Sequence, residues 1–402
     1  MPDGGAGSAR TSTRTVVIVG ASVAGVRCAT ALRDAGHDGR IVLLDAEDET
    51  PYDKPPLSKN LAPDDGVPLL VERGVLGARG IEFHGGRPAV GLDLSRRVVE
   101  TSDGVIAFDD LVIASGCRPR RLPAPLPPRA TYVRTKDDWA RLREAVARGG
   151  RLLVVGAGFL GLETAAAARR QGMQVTVFDV APQVLRRGVP ASAAEIIAAG
   201  HREEGVELRL GISSPTVDGD AGGAVVDGVA GDFAIVSIGA VPAVDWLAGS
   251  GLALDDGVVC DSGLRAGEGI WAIGDCARWH NARYGELRRT EHWTTATQHG
   301  RHVAGSIAAG TATPFGELPY VWSDQFGRRI QTVGVGGDEE ITCRAPDGAP
   351  VVLSVRDDLV TGVTTIDAQA VCLKARLLLR DEDRRVDEVR GALGLGGLAP
   401  VR

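Results

Sequence analysis

The sequence has few lysines and no closely spaced pair of cysteines. Its 45 cationic residues include only four lysines, which are Lys54, Lys59, Lys136 and Lys374. The six cysteines are Cys28, Cys117, Cys260, Cys276, Cys343 and Cys372. No two of them form a C-x-x-C or C-x-x-x-x-C pair, so the sequence predicts neither a zinc site nor a redox dithiol. We interpret them as small buried residues of a protein in a reducing compartment.

Long apolar runs and excess positive charge are also missing. No run of 18 residues is free of charges or turn residues, so no membrane span is expected. The formal net charge of −7 disfavours nucleic acid as the main partner, because phosphate binding needs a basic surface. Residues 1–14 contain no apolar segment, and we predict a disordered tail rather than a signal peptide there. These features together predict a cytoplasmic protein without a resident metal.

Two glycine-rich loops are the main positive signal in the sequence. Residues 16–25 read Val-Val-Ile-Val-Gly-Ala-Ser-Val-Ala-Gly, and residues 152–161 read Leu-Leu-Val-Val-Gly-Ala-Gly-Phe-Leu-Gly. In both, an apolar run typical of a buried parallel strand meets a tight turn and then an alanine-rich helix. Such a turn directs helix N–H groups at a pyrophosphate. Two loops predict two dinucleotides, and the natural pair is a flavin and a nicotinamide.

Acidic residues follow both loops at the spacing expected of ribose ligands. Asp179 ends the strand after the second loop, where its carboxylate can bind a ribose hydroxyl and repel a 2′-phosphate. This predicts NADH rather than NADPH, although Arg186 and Arg187 follow and leave the opposite preference open. After the first loop both Asp45 and Glu47 are available, and the sequence does not decide which of them holds the ribose.

Lys54 and Lys59 lie close together in a rigid proline-containing segment. Because arginine is the usual cation of this chain, a lysine there suggests a requirement for a compact ammonium group. Beside a flavin such a charge would stabilise the electron-rich reduced ring, and the alternative is two ordinary surface lysines. Glu163, two residues after Gly161, is either a nicotinamide contact or a surface charge.

The element pattern predicts an α/β protein of three domains. Strands are expected over 15–20, 40–45, 151–156, 174–179, 206–210 and 224–238, and helices over about 24–36, 136–148, 159–171 and 293–309. A proline-rich segment at 119–128 reads as an inter-domain linker. From Tyr320 onward short alternating strands precede a helical tail. We therefore predict a discontinuous FAD domain (15–120 and 245–319), an NAD domain (121–244) and a C-terminal α+β domain (320–402).

Residues 51–59, Pro-Tyr-Asp-Lys-Pro-Pro-Leu-Ser-Lys, closely resemble the PYxRPPLSK signature of oxygenase-coupled, FAD-dependent NADH:ferredoxin reductases. This family includes the putidaredoxin, rhodocoxin and biphenyl dioxygenase ferredoxin reductases. The resemblance continues through residues 111–116, 132–135, 156–163, 274–277 and 322–325. It implies two Rossmann-like domains of the glutathione-reductase type and a C-terminal α+β domain. Departures include Lys54 for the usual arginine, Ser115 for the usual threonine and Val321 for the usual aromatic residue before residues 322–325.

The resemblance also implies roles for individual residues. Lys59 and Trp293 would flank the flavin ring, Asp275 would bind the ribityl chain, and Glu163 would contact the nicotinamide carboxamide. The candidate catalytic residues are thus Lys59, Trp293 and Glu163. The candidate FAD-binding residues are Gly20, Ser22, Ala24, Gly25, Asp45, Glu47, Lys54, Lys59, Ala89, Ser115, Gly116, Arg134, Gly274, Asp275 and Trp293. The candidate NAD-binding residues are Gly156, Gly158, Leu160, Gly161, Glu163, Asp179, Arg187 and Gly239.

The activity implied by the resemblance is hydride transfer from NADH to FAD, then single-electron transfer to a small [2Fe-2S], [3Fe-4S] or [4Fe-4S] ferredoxin. The ferredoxin would serve a cytochrome P450 or a Rieske oxygenase. An alternative is a redox-responsive binding protein of the apoptosis-inducing-factor type. An NADH oxidase is disfavoured, because no cysteine is evident to reduce peroxide near the flavin, and the missing cysteine pair excludes a disulfide reductase. We expect a monomer or a weak homodimer.

Arginines near the C-terminal end of the predicted FAD domain suggest where the ferredoxin would dock. Arg288 and Arg289 precede the segment that carries Trp293, and Arg328 and Arg329 follow residues 322–325. A basic patch on an acidic protein would steer an acidic ferredoxin toward the flavin. The alternative is that these arginines are solvated or paired with nearby acids.

Overall fold

The computed structural model describes residues 14–316 and 318–397; the predicted tail therefore lies almost wholly outside the described residues. The chain folds as two compact units. The described part of the first unit comprises residues 14–53, 69–117 and 242–316, and that of the second comprises residues 54–68, 118–241 and 318–397. Each unit therefore contains segments that are far apart in the sequence.

The first unit is built on a six-stranded, mainly parallel sheet. Its strands in spatial order are Arg265–Gly267, Ile270–Ala272, Asp110–Ile113, Val16–Val19, Ile41–Leu44 and Ile81–His84. The four central strands are apolar runs that are buried along most of their length, as strands covered on both faces are. Only the edge strand Arg265–Gly267 runs antiparallel to its neighbour. Because the register pairs Val19 with Leu44 and with Ile113, the loops after these three strands emerge at one edge of the sheet.

Helices and two small sheets complete the first unit. Its helices are Val23–Asp34, Val75–Ala78 and Trp293–Ala309, and the 3-10 turns are Asp245–Leu247 and Gly274–Cys276. One small sheet contains Ala89–Asp93, Val98–Thr101 and Gly104–Ala107, and the other contains Val258–Cys260, Ala277–Asn281 and Glu286–Arg288. The helix predicted over 293–309 is present with those bounds, whereas the helix predicted to end at residue 36 ends at Asp34.

The second unit contains a five-stranded parallel sheet in the order Val206–Leu210, Gln174–Asp179, Arg151–Val155, Phe233–Val236 and Ala130–Tyr132. Helices Lys136–Arg148, Phe159–Arg170 and Ala191–Glu203 accompany it, and the 3-10 turn Pro55–Ser58 also belongs to this unit. The sequence did not predict the helix Ala191–Glu203. It predicted one strand over 224–238, but the chain forms Ala224–Val226, Val229–Gly231 and Phe233–Val236, because Asp227 (φ 48°) and Gly228 (φ 75°) make a turn. The first two of these strands form a small sheet with Val217–Gly219.

An antiparallel sheet forms the C-terminal part of the second unit, as expected for an α+β domain. Its strands in spatial order are Tyr320–Gln325, Arg328–Gly334, Leu359–Ile366, Pro350–Arg356 and Glu339–Arg344, and Arg384–Arg385 pairs with Leu359–Ile366. Helices Gln369–Leu378 and Val386–Leu393 follow. The strands Cys117–Pro119 and Ala240–Pro242 lie where the chain passes from one unit to the other. The predicted class, two parallel α/β folds followed by an α+β domain, is confirmed.

Within residues 14–316 and 318–397, no helix is long and apolar enough to cross a membrane.

Candidate functional site

The first glycine loop, residues 20–25, follows the central strand Val16–Val19 of the first unit. Gly20 has a φ of +112°, and a Cβ atom there would lie 2.2 Å from the carbonyl oxygen of Ala114. A Cβ atom at Gly25 would lie 1.9 Å from the carbonyl oxygen of Gly20. Neither position can carry a side chain, because the loop packs directly on the neighbouring strand and on the first turn of its own helix.

Ser22 is the N-cap residue of the helix Val23–Asp34 but makes no side-chain capping hydrogen bond. The first N–H groups of the helix therefore keep their capacity to bind an anion. Ala24 and Gly25 lie in the first turn, and Ser115 and Gly116 follow the strand Asp110–Ile113 at the same edge of the sheet. These residues provide the backbone geometry that a dinucleotide pyrophosphate requires.

Asp45 supports the first glycine loop. Its Oδ2 accepts a hydrogen bond from the backbone N–H of Ala21 at 2.7 Å, and its Oδ1 accepts one from the N–H of Glu47 at 3.0 Å. The Oε2 atom of Glu47 accepts a hydrogen bond from the hydroxyl of Tyr52 at 2.5 Å. Both acids named by the sequence thus lie beside the loop, and the structure does not decide which of them would hold a ribose hydroxyl.

The second glycine loop, residues 156–161, repeats this construction in the second unit. Gly156 has a φ of +109°, and a Cβ atom there would lie 2.1 Å from the carbonyl oxygen of Ser237. A Cβ atom at Gly161 would lie 2.0 Å from the carbonyl oxygen of Gly156. At Gly158, the N-cap of the helix Phe159–Arg170, a Cβ atom would instead meet no other atom within 4 Å. The protein leaves this space open, as the approach of a phosphate requires.

Asp179 makes the same two contacts as Asp45. Its Oδ2 accepts from the N–H of Ala157 at 2.6 Å and its Oδ1 from the N–H of Ala181 at 2.7 Å. Ala181 therefore occupies the position that corresponds to Glu47, so the second loop has a single acid where the first has two.

Arg187 and Gly239 lie near each other in the second unit. Gly239 has a φ of +106°, and a Cβ atom there would approach Arg187 Nη2 to 3.2 Å. Gly239 follows the strand Phe233–Val236, whose carboxyl end lies at the same sheet edge as the second glycine loop. Leu160 lies in the first turn of the helix Phe159–Arg170. The candidate NAD-binding residues thus converge on one edge of one sheet.

Glu163 lies at the centre of a buried polar cluster. Only 7% of the residue is exposed, and its Oε1 lies 2.5 Å from Lys59 Nζ. The hydroxyl of Ser58 donates to Oε2 at 2.6 Å, and the hydroxyl of Ser323 donates to Oε1 at 2.5 Å. One cation and two hydroxyls therefore compensate the buried carboxylate. The surface-charge alternative for Glu163 is wrong, and so is the ordinary-surface alternative for Lys59.

Sequence reasoning missed Ser58 and Ser323 as partners of Glu163. Both serines lie inside segments that carried the family resemblance, residues 51–59 and 322–325. That position was the available signal, but three residues so far apart in sequence give no pattern of spacing.

Lys54 immediately precedes the turn Pro55–Ser58, and the half-buried Arg134 donates its backbone N–H to Asp138 at 3.1 Å. Both belong to the second unit.

Asp275 lies in the first unit in a turn after the strand Ile270–Ala272. The thiol of Cys117 donates to Asp275 Oδ2 at 3.3 Å, and Arg289 Nη1 donates to the Asp275 carbonyl oxygen at 3.2 Å. Gly274 has a φ of +71° and donates its N–H to Nδ1 of His299 at 3.2 Å. Burial lowers the pKa of His299 to about 3, so the ring is neutral and can accept this bond. Sequence reasoning missed His299, because its position within a helix gave no signal.

Trp293 begins the helix Trp293–Ala309, and its indole Nε1 donates to Asp53 Oδ1 at 2.8 Å. Trp293 is partly buried against the core of the first unit. Ala89 begins the half-buried strand Ala89–Asp93 of the same unit. Asp53 belongs to residues 51–59, which carried the family resemblance, and the structure gives its carboxylate a specific hydrogen-bond donor.

Three of the four arginines named as a docking patch contact acids. Arg288 pairs with Glu286 at 2.6 Å, and Arg329 pairs with Asp324 at 2.7 Å. Arg289 pairs with Asp256 at 3.1 Å and with Glu291 at 2.5 Å. Arg328 is exposed, and among the described residues no acid lies within ion-pair distance of it. Arg288 and Arg289 belong to the first unit, whereas Arg328 and Arg329 belong to the second.

Two dinucleotide-binding loops, each with an acid that braces it, define an oxidoreductase of the two-dinucleotide class. Residues 14–300 match the pyridine nucleotide-disulphide oxidoreductase family, and residues 320–391 match the reductase C-terminal family. The chain belongs to the pyridine nucleotide-disulphide oxidoreductase family, and it is an enzyme that uses FAD and NADH. The six cysteines are all buried, as the sequence predicted. Burial raises the pKa of the Cys372 thiol to about 11.

Similar proteins match nearly the whole chain. Rhodocoxin reductase of Rhodococcus erythropolis is 33% identical, over 92% of this chain and 90% of the relative. The anthranilate 1,2-dioxygenase system ferredoxin–NAD(+) reductase component of Burkholderia cepacia is 36% identical, over 83% and 85%. Among solved structures, the covalent putidaredoxin reductase–putidaredoxin complex matches with a TM-score of 0.86 at 29% identity, covering 94% of this chain and 95% of that chain. A ferredoxin reductase from Rhodopseudomonas palustris also matches with a TM-score of 0.86, at 30% identity, over 94% and 100%.

Proposed function

We propose that this protein is an NADH:ferredoxin reductase that passes electrons from NADH through FAD to a small iron–sulfur protein. The observation that carries the proposal is the repeated loop geometry, in which Asp45 and Asp179 brace two separate dinucleotide sites. The similar proteins support the choice of acceptor, because their names make them reductases of rhodocoxin, putidaredoxin and dioxygenase ferredoxins. The acceptor would in turn serve a cytochrome P450 or a Rieske oxygenase.

FAD supplies the redox chemistry when bound, because it accepts two electrons from NADH and gives them up singly. The residues of this chain bind and orient the cofactors. In this proposal the first glycine loop and Asp275 hold FAD, with Asp45 or Glu47 on its ribose. Arg134, Ala89, Ser115 and Gly116 line the flavin site, together with Lys54 and Gly274, and Lys59 and Trp293 flank the ring.

The second glycine loop holds NADH in this proposal, with Asp179 on the adenosine ribose. Leu160, Arg187 and Gly239 contribute to the same edge of the sheet. Glu163 is a hydrogen-bond acceptor held in a fixed environment by Lys59 and two serines, which suits the carboxamide N–H₂ of a nicotinamide. Because an amide donates two hydrogens, a buried carboxylate recognises it specifically.

The domain assignment stays a proposal, with an FAD domain at 15–120 and 245–319, an NAD domain at 121–244 and a C-terminal domain at 320–402. The matched ranges 14–300 and 320–391 support the boundary near residue 320. We also propose a cytoplasmic location, because NADH is produced inside the cell. A monomer or weak homodimer is our prediction for the oligomeric state, which sedimentation equilibrium would test.

The proposed function is tested by coupled turnover. Purified holoprotein should be reduced by NADH and should reduce cytochrome c only when a ferredoxin is added. Ferricyanide, which needs no docked protein, serves as the control acceptor. Rapid reduction of ferricyanide without any ferredoxin-dependent cytochrome c reduction, across [2Fe-2S], [3Fe-4S] and [4Fe-4S] ferredoxins, would overturn the assignment of the acceptor.

A further inference from the structure

A chain of buried side chains runs from His201 to Glu163 within the second unit. His201 Nε2 lies 2.8 Å from Gln325 Oε1, and Gln325 Nε2 donates to Ser323 Oγ at 3.0 Å. Ser323 Oγ then donates to Glu163 Oε1 at 2.5 Å. All four residues are at most 7% exposed. Polar groups so deeply buried are retained only where each has a partner.

The hydrogen bonds of this chain have one direction. The amide oxygen of Gln325 can only accept, so His201 Nε2 must carry the hydrogen. Burial lowers the pKa of His201, which keeps the ring neutral. Nδ1 is then the acceptor nitrogen, and it is buried without a hydrogen-bond partner among the described residues. Each member of the chain therefore donates toward the Glu163 carboxylate, which is the arrangement in which successive hydrogen bonds polarise one another.

Secondary structure holds the members of the chain in place. Ser323 and Gln325 are two residues apart on the strand Tyr320–Gln325, so their side chains point to the same face of the sheet. His201 lies in the last turn of the helix Ala191–Glu203. Its ring meets the ring of Phe326 edge-on, with centroids 5.0 Å apart. His201 is therefore fixed by a strand on one side and by its own helix on the other.

Ser323 helps to fix the orientation of the Glu163 carboxylate, which Lys59 alone cannot do. A lysine ammonium is a point charge that tolerates many carboxylate orientations, whereas a hydroxyl donates along one direction. A glutamate side chain has three rotatable bonds, and its carboxylate plane must be set for it to meet a planar amide. Ser323 and Ser58 approach different oxygens of Glu163 and so define that plane.

We propose that Ser323, Gln325 and His201 are positioning residues that orient the Glu163 carboxylate for the nicotinamide carboxamide. This proposal rests on the role of Glu163 given above. None of the three residues needs to touch a cofactor. Their effect should decrease along the chain, from Ser323 to Gln325 to His201.

Direct binding of NAD⁺, measured by calorimetry on the FAD-loaded protein, tests the chain. We expect Ser323→Ala to raise the Kd several-fold, with smaller increases for Gln325→Leu and His201→Leu. His201→Gln should restore the wild-type Kd, because its amide N–H₂ can replace Nε2–H as the donor. Gln331→Leu is the matched control, since Gln331 is a buried amide on the neighbouring strand that donates to Tyr320 at 2.6 Å instead.

A purely structural role would give a different result. In that case Ser323→Ala and Gln331→Leu would lower the melting temperature alike and leave the Kd for NAD⁺ unchanged, which overturns the proposal. A His201→Gln variant as weak in binding as His201→Leu would also overturn it, because the donor would then not matter.

Nitrogen NMR gives a readout that does not depend on turnover. With only seven histidines in the chain, labelling with [¹⁵N]histidine should resolve His201 as a neutral ring protonated on Nε2. Glu163→Gln should shift the His201 signals, although three hydrogen bonds separate the two residues. Unshifted His201 signals would refute the series of hydrogen bonds from His201 to Glu163. If the wild-type flavin were not reduced by NADH while this shift was present, the proposed function would fail and the chain would stand.

Discussion

Asp45 and Asp179 occupy equivalent positions in two different units, because each carboxylate accepts the backbone N–H of the alanine that follows the first glycine of its loop. The distances are 2.7 Å to Ala21 and 2.6 Å to Ala157. A charge-assisted hydrogen bond of this kind fixes the loop before any ligand arrives. The same acid therefore braces its loop, and in the proposed function it also binds a ribose hydroxyl.

This equivalence predicts the effect of changing Asp179. Asp179→Ala should weaken NADH binding more than NADPH binding and so relax the preference by roughly 1–3 kcal/mol, the range for hydrogen bonds to charged groups. Damage to the loop affects both nucleotides, so the ratio of their kcat/KM values isolates the ribose contact. Asp45→Ala is the matched control and should reduce FAD retention without altering that ratio. An unchanged ratio in Asp179→Ala would show that another residue selects the nucleotide.

The bond between Trp293 and Asp53 predicts a change in fluorescence. Asp53→Leu removes the acceptor of the indole N–H and should let the ring move, whereas Asp53→Asn keeps an acceptor oxygen. If Trp293 lies against the flavin, as proposed, its mobility should alter the quenching of flavin emission in the loaded protein. We expect a changed emission yield in Asp53→Leu and a wild-type yield in Asp53→Asn. Equal yields in all three proteins would count against the placement of Trp293 beside the ring.

Asp275 should matter for flavin retention far more than Asp93, an acid whose partners are close to it in sequence. Asp275→Ala removes the acceptor of the Cys117 thiol and the side chain proposed to bind the ribityl chain. Asp93 is a suitable control, because it ends the strand Ala89–Asp93 and its partners are the nearby Ser95 and Arg96. After extensive dialysis, the ratio of flavin to protein absorbance should fall in Asp275→Ala and stay constant in Asp93→Ala. Full flavin occupancy in both variants would remove Asp275 from the proposed site.

His299 should make the protein less stable in mild acid. Burial, with a smaller contribution from His302, lowers the pKa of His299 to about 3, whereas the unfolded chain titrates near 6.5. The unfolded state therefore binds the proton first, and the free energy of unfolding falls as pH falls from about 6.5 toward 3. His299→Asn keeps an acceptor for the Gly274 N–H but cannot titrate in this range.

Urea unfolding at pH 7, 6 and 5 measures this contribution. His299→Asn should be less stable overall, since the ring contacts with Trp279 and Phe315 are lost. Its loss of stability between pH 6 and 5 should nevertheless be smaller than in the wild type by about 1 kcal/mol. His201 and His37, whose pKa values are also lowered by burial, account for part of the slope that remains. Parallel pH profiles would contradict the assignment.

Charge reversal at Arg328 and at Arg288 should differ in its effect on ferredoxin-dependent turnover. Arg328→Glu should lower kcat/KM for ferredoxin several-fold at low salt and flatten the salt dependence, because Arg328 is exposed and pairs with no acid of residues 14–316 or 318–397, so its charge contributes strongly to the surface potential. Arg288→Glu should have a smaller effect, since Glu286 already neutralises this charge. Ferricyanide reduction should not change in either variant. A loss of ferricyanide reduction in Arg328→Glu would mean that the residue supports the flavin site or the fold.

A substitution of Arg289 would not test docking alone, because this side chain also supports the turn that carries Asp275. It donates to the carbonyl oxygen of Asp275 and contacts Asp256 and Glu291. Its reversal would disturb the turn that carries Asp275 as well as the surface charge.

The two glycine loops could be predicted from sequence because the constraint is local. A carbonyl oxygen about 2 Å from where a Cβ atom would lie permits only glycine at positions such as Gly20 and Gly156. The strand–turn–helix order then sets the edge of the sheet on which each loop lies. Asp179 could also be predicted from the local sequence, because it ends the strand that pairs with Arg151–Val155, the strand before the second loop.

The surroundings of Glu163 could not be predicted, because they depend on contacts between distant parts of the chain. Ser58, Glu163 and Ser323 belong to a 3-10 turn, a helix and an antiparallel strand, and no sequence period links them. The ion pairs of the arginines could not be predicted for a related reason. Charge can be counted along the sequence, but Arg289 is neutralised by Asp256, which lies 33 residues earlier.

The segment Lys54–Pro68 belongs to the second unit although the chain on either side of it belongs to the first. It supplies Ser58 and Lys59 to Glu163, and its Asn60 carbonyl oxygen accepts the indole N–H of Trp139 at 2.7 Å. A gene fragment that encodes only residues 118–397 would therefore lack the cation and one of the two hydroxyl donors of Glu163, and it would leave the carboxylate without the segment that covers it. In exchanges between relatives, we therefore expect the unit that contains Glu163 to fold only when residues 54–68 are exchanged together with it.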